Sequence, residues 1–221
     1  MKVFKVAIAS VLMSAAAPMV LAASTVDLSV TGSLVPTSCT PSLAAGEISF
    51  GKLSAKDLRL DKSTEIGGFK FEQMTIQCQG PTLFGIRGVD NRANTRPVHS
   101  GVPTFAAPFG LGLTANNEKI GTYHLELHPD RSMIDGAKGY LTLSNLTGTA
   151  WGASSAGERN IRNNGPLLGY TDTLGVSTGP IPVKEAILGI RSYMVVAPAN
   201  TLTLDQDIAL DGSATLEVVY L

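Results

Sequence analysis

The chain has 221 residues, of which 44% are hydrophobic and 16% are charged, and this length suits one good-sized domain or two small ones. Its 17 Lys and Arg residues against 18 Asp and Glu residues give a net charge of −1, which excludes the strongly basic surface typical of nucleic-acid binding. The apolar fraction is too high and the charge too low for a disordered chain.

The first 22 residues have the features of a secretory signal peptide. Lys2 and Lys5 form a basic start, residues 6–20 are mostly apolar or small, and cleavage is expected after Ala22. A membrane anchor is the alternative, but the apolar run is shorter than the ~20 residues that a bilayer requires. We therefore predict export and a mature chain that begins at residue 23.

The mature chain begins with an alternating apolar segment. Its apolar face would carry four large side chains and one glycine, at Val26, Leu28, Val30, Gly32 and Leu34. This period of two is typical of a β-strand. By itself the pattern fits the first strand of this domain.

The two cysteines are Cys39 and Cys78. In an oxidising compartment each has only the other as an intrachain partner, which predicts a structural disulfide. A redox-active pair is the alternative, but the sequence lacks the CxxC spacing of such pairs.

Beyond the extension, short alternating runs indicate further strands. Glycine- and proline-containing turn signals separate them, and no window after the leader sustains helical spacing. The fold class is therefore all-β, a sandwich or a barrel. The predicted strands lie at 69–78, 83–86, 123–127, 141–143, 194–196, 202–204 and 216–220, and the predicted turns at 67–68, 80–81, 135–136, 164–166, 179–180 and 211–212.

Two features in the middle of the chain raise the question of a ligand site. His124, Glu126 and His128 would share one face of a strand, which is a plausible zinc ligand set, but we favour a solvated outer face. Trp151 begins a segment rich in Gly, Ser and Asn, residues 151–164, that we interpret as a surface loop. Trp151 would stack on a sugar or, more simply, belong to the core or its rim.

The C-terminus ends in an unusual strand pattern. Leu216, Val218 and Tyr220 alternate with other residues, and the chain stops one residue after the tyrosine. Termini usually fray, so a strand that continues to the last residues is unusual. An ordinary final strand remains one interpretation.

Taken in order, these features resemble the subunits of chaperone–usher fimbriae, most closely the larger beta-type subunits. The shared features are a leader, an alternating extension with a glycine, two cysteines some forty residues apart, and a final strand with a penultimate tyrosine. They cover roughly residues 23–80 and 208–221, whereas the middle matches only in its β-like, glycine-rich character.

The resemblance implies a pilin fold, which is an immunoglobulin-like sandwich that lacks a strand and is completed by a strand donated from a chaperone or a neighbouring subunit. It implies a signal peptide at 1–22, a donor-strand extension at 23–35 and a pilin domain at 36–221. Val26, Leu28, Val30, Gly32 and Leu34 would form the donor strand, with the glycine over a shallow part of the groove. Leu216, Val218 and Tyr220 would border the accepting groove and bind the chaperone.

The expected partners are a periplasmic chaperone, an outer-membrane usher, neighbouring fimbrial subunits and, for an adhesive fimbria, host surface glycans. The expected location is the cell surface, after passage through the periplasm. No cofactor, metal or catalytic activity is expected, since the sequence has no GxSxG, HExxH or phosphate-loop motif. A tip-proximal adhesin and a secreted β-sandwich enzyme or carbohydrate-binding module remain the alternatives.

Overall fold

Antiparallel strands form nearly all the regular structure of the residues that the structure describes. The computed structural model describes residues 24–32, 38–97, 107–153 and 159–221. The chain divides into two units, residues 1–35 and residues 36–221, and the strands lie in the second. They are β1 (Cys39–Leu43), β2 (Thr64–Thr82), β3 (Phe84–Asp90), β4 (Phe109–Gly110), β5 (Gly121–Ile134), β6 (Ala137–Lys138), β7 (Tyr140–Ser144), β8 (Trp151–Ala153), β9 (Leu168–Thr171), β10 (Val183–Val196) and β11 (Ala214–Tyr220). Short 3-10 helices lie at Ala55–Asp57, Ala93–Thr95 and Ala199–Thr201.

The described strands form two sheets. The first has the order β1-β2-β10-β5-β4, with β6 paired to β5, and the second has the order β11-β3-β9-β7-β8. Every strand pair is antiparallel. This confirms the all-β prediction, and the two-sheet arrangement is consistent with an immunoglobulin-like sandwich.

The core lies between the sheets and follows from alternation along the central strands. On β10, Ala186, Leu188 and Ile190 are buried, while the residues between them face the other side, as a pleated strand requires. Ile86 on β3 and Leu168 on β9 contribute from the second sheet and are also fully buried. At ~1.5–3 kcal/mol per buried large side chain, this layer supplies most of the driving force for folding.

Two predicted turns lie inside β2. Residues 67–68 and 80–81 belong to the single strand Thr64–Thr82, so these predictions are wrong. The pairing of β2 with β10 shifts register near both positions, and Gly68 has a φ of 89°, which favours glycine. The glycines therefore allow bulges within a continuing strand rather than a reversal of the chain.

The predicted turn at residues 135–136 is confirmed. It joins β5 to β6, and Asp135 and Gly136 have φ values of 49° and 79°, as expected for the Asp-Gly sequence of a two-residue hairpin. The Asp135 carboxylate also accepts hydrogen bonds from the backbone N–H groups of Lys184 and Glu185. One side chain thus ties the hairpin to the start of β10.

Two segments with strand-like sequence form no strand. Residues 24–32 have no regular secondary structure, because a strand needs a hydrogen-bonded neighbour as well as a suitable pattern. Residues 202–204 follow a 3-10 helix and also remain outside both sheets. The predicted signal peptide lies outside the described residues, and no helix in the part of the chain that the structure describes is long and apolar enough to cross a membrane.

The predicted disulfide is confirmed. Cys39 in β1 lies directly opposite Cys78 in β2, and the two sulfurs are bonded. Beyond this bond, β1 is held to its sheet by a five-residue pairing with β2. The bond therefore fastens a short edge strand to a long central one.

We expect that replacing both cysteines with serine lowers the free energy of unfolding by about 4 kcal/mol, because the bond closes a loop of 39 residues. Urea denaturation of the exported protein measures this loss. Thiol titration of the denatured, unreduced chain should detect no free sulfhydryl, and two free thiols would contradict the assignment.

Candidate functional site: an open groove between the sheets

Strand β11 is an edge strand with one unpaired side. Asn91 N–H donates to the Ser213 carbonyl and Leu221 N–H donates to the Leu83 carbonyl, so the odd-numbered residues make the backbone hydrogen bonds to β3. In an antiparallel pair the intervening residues point their N–H and C=O groups away. Four such residues, Ala214, Leu216, Val218 and Tyr220, therefore present the free edge.

Strand β1 is the corresponding edge of the other sheet. Ala44 N–H donates to the Gln73 carbonyl and Gln79 N–H to the Ser38 carbonyl, which leaves Cys39, Pro41 and Leu43 facing outward. Proline is tolerated there because it has no N–H to leave unpaired. The Cys39 N–H donates instead to the Tyr220 hydroxyl at 2.8 Å, so the penultimate tyrosine joins the two sheet edges at one end.

Below this contact an open groove begins. A cavity of about 500 Å³, the upper cavity, is lined on one side by Ala214 and Leu216 of β11. Its floor includes Leu125 and Ile190 from the first sheet. Ala214, Leu216 and Val218 are only partly buried, although they pack against the core. The apolar interior of the sandwich is therefore accessible along this edge.

The opposite wall of this upper cavity is an irregular segment that includes Ile48 and Phe50. The buried Glu72 carboxylate holds the start of this segment, because it accepts hydrogen bonds from the backbone N–H groups of Ala45 at 3.2 Å and Gln73 at 2.7 Å. On the floor, Ser192 is 1% exposed and its hydroxyl has no hydrogen-bond partner in the described structure. Glu72 thus holds the start of this wall, and the described part of the floor contains one buried hydroxyl group without a hydrogen-bond partner.

A second cavity of about 420 Å³ continues the groove. Its lining includes Ile120, Val196, Leu202 and Leu204, so residues 202–204, predicted as a strand, form a wall of the groove instead. Glu118 anchors this wall by accepting hydrogen bonds from the Thr203 N–H at 2.8 Å and the Thr203 hydroxyl at 2.7 Å. These bonds, with one from the Thr114 hydroxyl, lower the pKa of Glu118.

The predicted donor residues are placed without strand partners. Val26, Leu28 and Val30 are 93%, 89% and 92% exposed, which is unusual for three alternating large apolar side chains. No atom lies within 4 Å of the position that a Cβ on Gly32 would take. Leu34, the last predicted donor residue, lies outside the described residues.

The predicted solvent-facing strand edge at His124, Glu126 and His128 is wrong. His124 and Glu126 are buried, at 3% and 8% exposure, and His128 is half-buried. The reason is that β5 is an interior strand, and the side chains of β10 cover its outer face. The alternation correctly placed the three residues on one face, but it carried no information on what covers that face.

Aromatic and ionic contacts account for this burial. The His124 ring stacks on the Tyr193 ring, with centroids 4.5 Å apart and planes 3° from parallel. Glu126 pairs with Arg191, whose Nε lies 2.8 Å from the carboxylate, and the Arg191 guanidinium lies 4.1 Å from the centre of the Phe69 ring. Among the described residues, no group of three or more His, Cys, Asp or Glu side chains is placed to hold a metal ion.

The buried histidine predicts a pH-dependent stability. Burial lowers the pKa of His124 to about 4, against about 6.5 in an unfolded chain, so the unfolded state binds the proton more readily. Stability should be fully present above pH 6.5 and fall by about 3 kcal/mol as the pH drops towards 4. Urea unfolding of the protein and of His124→Phe at pH 7 and pH 4.5 isolates this contribution, and equal losses in both would contradict it.

The interpretation of residues 151–164 as a surface loop is partly wrong. Trp151 opens β8 and is half-buried, with its ring over two backbone positions: a Cβ on Gly85 or Gly169 would lie 3.3 Å or 3.0 Å from ring atoms. Ile161 is fully buried in the core, while residues 154–158 lie outside the described part. Trp151 therefore serves packing at the rim of the second sheet.

Sequence reasoning missed the groove walls. Ile48 and Phe50 belong to a stretch between β1 and β2 that has no regular period, and Glu72 looks like an ordinary strand residue. The sequence signal was indirect: apolar residues recur at 48, 50, 53 and 58, at irregular spacing among Gly, Ser, Ala and charged residues. The same holds for residues 202–210, where the apolar spacing is irregular.

Comparison with known proteins places this architecture in a family. A family model described as "Protein of unknown function (DUF1120)" matches residues 28–124, from within the extension through both cysteines into β5. Two proteins of Escherichia coli (strain K12) are similar to this chain over most of their length. "Uncharacterized protein YhcF" is 30% identical over 227 residues, and the alignment covers 90% of this chain and 92% of YhcF. "Protein GltF" is 24% identical over 225 residues, and the alignment covers 88% of each chain. No solved structure matches the chain at a significant level. With a relative of this identity aligned over nearly its whole length, and with the family model covering part of the extension, the disulfide and β2, the chain belongs to the DUF1120 family.

Proposed function

We propose that the chain is a structural subunit of a surface fimbria assembled by donor-strand exchange and contributing to cell adhesion. The observation that supports this most strongly is the open groove beside β11, with its free backbone edge, in a chain that also carries an unpaired apolar extension. An exposed strand edge beside an open core favours aggregation unless another strand covers it. A donated strand would satisfy both features.

The energetics favour such insertion. Burying Val26, Leu28 and Val30 would contribute about 1.5–3 kcal/mol each, before the cost of ordering the extension. The four outward residues of β11 would gain backbone hydrogen bonds at the same time. The groove is therefore suited to an extended segment with apolar side chains on one face.

In this proposal the chain is exported through its signal peptide and bound in the periplasm by a chaperone that lends a strand. An outer-membrane usher is the place where the extension of a neighbouring subunit replaces that strand. The assembled fimbria lies on the cell surface, where contact with host glycans would be its adhesive role. The chain acts without enzymatic activity or cofactor.

The test is to follow the chain into surface material in its native cells. An internal epitope after Leu174, which is 72% exposed, leaves both ends of the chain free. We expect the epitope in sheared surface fractions, as a ladder of bands that survives detergent and collapses on boiling. An epitope found only as a single-chain species in every fraction would contradict the proposal.

A further inference from the structure

We propose that the outer face of the first sheet binds an acidic sugar polymer of the host surface. Exposed phenyl rings would pack on the sugar rings, and the Arg131 guanidinium would pair with a sugar carboxylate. The inference rests on the adhesive part of the proposed function and names its ligand class and its site. The site is the aromatic face, which consists of Phe69 and Phe71 of β2, Arg131 of β5, and Arg191 and Tyr193 of β10.

The aromatic face lies on the side of the sheet opposite the groove. Ile190 forms part of the groove floor, so the next residue, Arg191, points the other way, because side chains alternate along a strand. Leu125 also lies on the groove floor, while its neighbour Glu126 pairs with Arg191. Among the described residues that line the two cavities, none belongs to the aromatic face. A strand bound in the groove would therefore leave this face accessible.

The two phenyl rings of the aromatic face are exposed although they are large and apolar. Phe69 is 48% exposed and Phe71 is 43% exposed. They are two residues apart on β2, so they stand about 7 Å apart on one face of the strand. Neighbouring exposed apolar side chains mark an interaction surface more clearly than a single one does. The two rings form a strip, which suits a linear polymer better than a small molecule that needs a closed pocket.

A guanidinium lies against each of the two phenyl rings. The guanidinium carbon of Arg131 is 4.1 Å from the centre of the Phe71 ring, and that of Arg191 is 4.1 Å from the centre of the Phe69 ring. These contacts restrict both long side chains. The Phe69 and Tyr193 rings pack edge to face, with centroids 6.1 Å apart. The charged and aromatic groups are therefore positioned before a ligand arrives, which lowers the entropic cost of binding.

The charge of Arg131 is available for an anionic ligand. Glu126 pairs with Arg191. Asp130 pairs with Lys138, so both acidic residues of β5 already have a basic partner. Among the described residues, no carboxylate forms an ion pair with Arg131. Its planar guanidinium can therefore bind a sugar carboxylate through two parallel hydrogen bonds.

The other end of the aromatic face is less favourable for an anion. Burial and the nearby carboxylates of Glu126 and Glu65 raise the pKa of Tyr193. The same carboxylates would repel an anionic group at the Tyr193 end, whereas Arg131 attracts one at the Phe71 end. The sugar carboxylate therefore belongs beside Phe71, with the uncharged part of the polymer over Phe69.

Four polar groups near the aromatic face lack hydrogen-bond partners. They are the Thr122 hydroxyl, the Nδ1 atoms of His124 and His128, and the Asn160 side-chain oxygen, which are buried and unpaired in the part of the chain that the structure describes. The three β5 residues alternate onto the face of Glu126, and Asn160 lies opposite Glu126. Buried polar groups nearly always have a partner, so these groups indicate that another molecule covers this face. A hydroxyl-rich ligand, with its bound water, supplies both donors and acceptors.

Repetition along a fimbria would strengthen binding to such a shallow site. An open face surrounds little of a ligand, so each single contact is weak. A fimbria would carry one aromatic face per subunit, and an acidic polymer carries many carboxylates. Binding of several faces to one polymer raises the overall affinity without any new contact.

The test measures binding of the exported chain to immobilised hyaluronan, a sugar polymer whose charge comes from carboxylates alone. The chain is purified from its native cells through the internal epitope after Leu174. We expect binding that dextran, a neutral polymer, does not reproduce. Arg131→Gln should weaken it about tenfold, because a charge-assisted contact is lost. As the matched control, Lys184→Gln removes the same charge from an exposed position at the start of β10 and should bind as the unchanged chain does.

Substitutions of Phe71 separate binding from folding. Phe71→Leu removes the aromatic ring, whereas Phe71→Tyr keeps it, and the position is exposed enough for either side chain. We expect about tenfold weaker binding for Phe71→Leu and unchanged binding for Phe71→Tyr, with both variants folded by urea denaturation. Equal binding by the two variants would overturn the role of the ring.

Other outcomes would reject the ligand class. Equal weakening by Arg131→Gln and Lys184→Gln would show attraction to net charge rather than a site. Absence of hyaluronan binding, together with self-association of the chain that Phe71→Leu weakens, would show a contact between copies instead. Detergent-resistant ladders without hyaluronan binding would reject this inference and leave the proposed assembly standing. Binding that depends on Arg131 and Phe71 in a chain that forms no ladders would support the aromatic face and reject the fimbrial role.

Discussion

A chain that lacks residues 24–34 is expected to fold and to accept a strand, yet to donate none. The physical reason is that the described part of this segment forms no strand and leaves Val26, Leu28 and Val30 about nine-tenths exposed. Its removal should change the free energy of unfolding by no more than about 0.5 kcal/mol, as for other exposed surface changes. Assembly should stop with the shortened subunit at an end, so the ladder of bands shortens to a terminal species.

The matched control changes the outward side of the same segment. Ser29→Ala keeps the apolar face and its length, so the ladder should be unchanged. If the deletion instead abolished folding of the chaperone-bound subunit, residues 24–34 would belong to the sheet of their own domain, and the assignment of a donated strand would lose its main support.

The complementary change is Leu216→Asp, which should abolish acceptance and leave donation intact. Leu216 lines the upper cavity and is only partly buried in the single chain, so the carboxylate remains hydrated until a strand arrives. Insertion would then trap a charge among apolar side chains, which costs several kcal/mol even after local relaxation. The variant should appear only at the donating end of ladders.

A control and a complementation sharpen this result. Thr215→Asp places the same charge on the exposed side of β11 and should leave the ladder unchanged. Expressed together, the deletion form and Leu216→Asp should form a single joint, because one only accepts and the other only donates. Long ladders from Leu216→Asp alone would show that the groove is not the accepting site.

The alternation of apolar and polar residues predicted those strands whose hydrogen-bonded neighbours in the sheet also alternate. The alternation at 123–127 and 216–220 lies within β5 and β11, and the Asp-Gly turn lies between β5 and β6. The turn predicted at Gly67 and Gly68 is wrong because glycine occurs both in turns and in β-bulges. Only pairing with a partner strand distinguishes the two. The strand predicted at residues 202–204 is wrong for a related reason. Their apolar side chains face the groove, but no strand among the described residues pairs with this wall.

The sequence allowed prediction of the extension and the final strand but not of the groove walls. The extension and Tyr220 carry a sequence pattern, and the structure adds that the Tyr220 hydroxyl accepts the Cys39 N–H. The groove walls at Ile48, Phe50 and residues 202–210 depend on long-range packing, which produces no regular period in the sequence. The burial of His124 likewise depends on Tyr193, almost seventy residues away in the sequence.

Amide hydrogen exchange of residues 24–32 measures whether this segment is inserted as a strand in the assembly. The comparison is between the single subunit and the detergent-resistant assembly, resolved to peptides that contain Val26, Leu28 and Val30. We expect fast exchange in the subunit and strong protection in the assembly, together with new protection along Ala214–Tyr220, because both segments would enter one ladder of backbone hydrogen bonds. Fast exchange of residues 24–32 in the assembly would contradict the insertion of this strand.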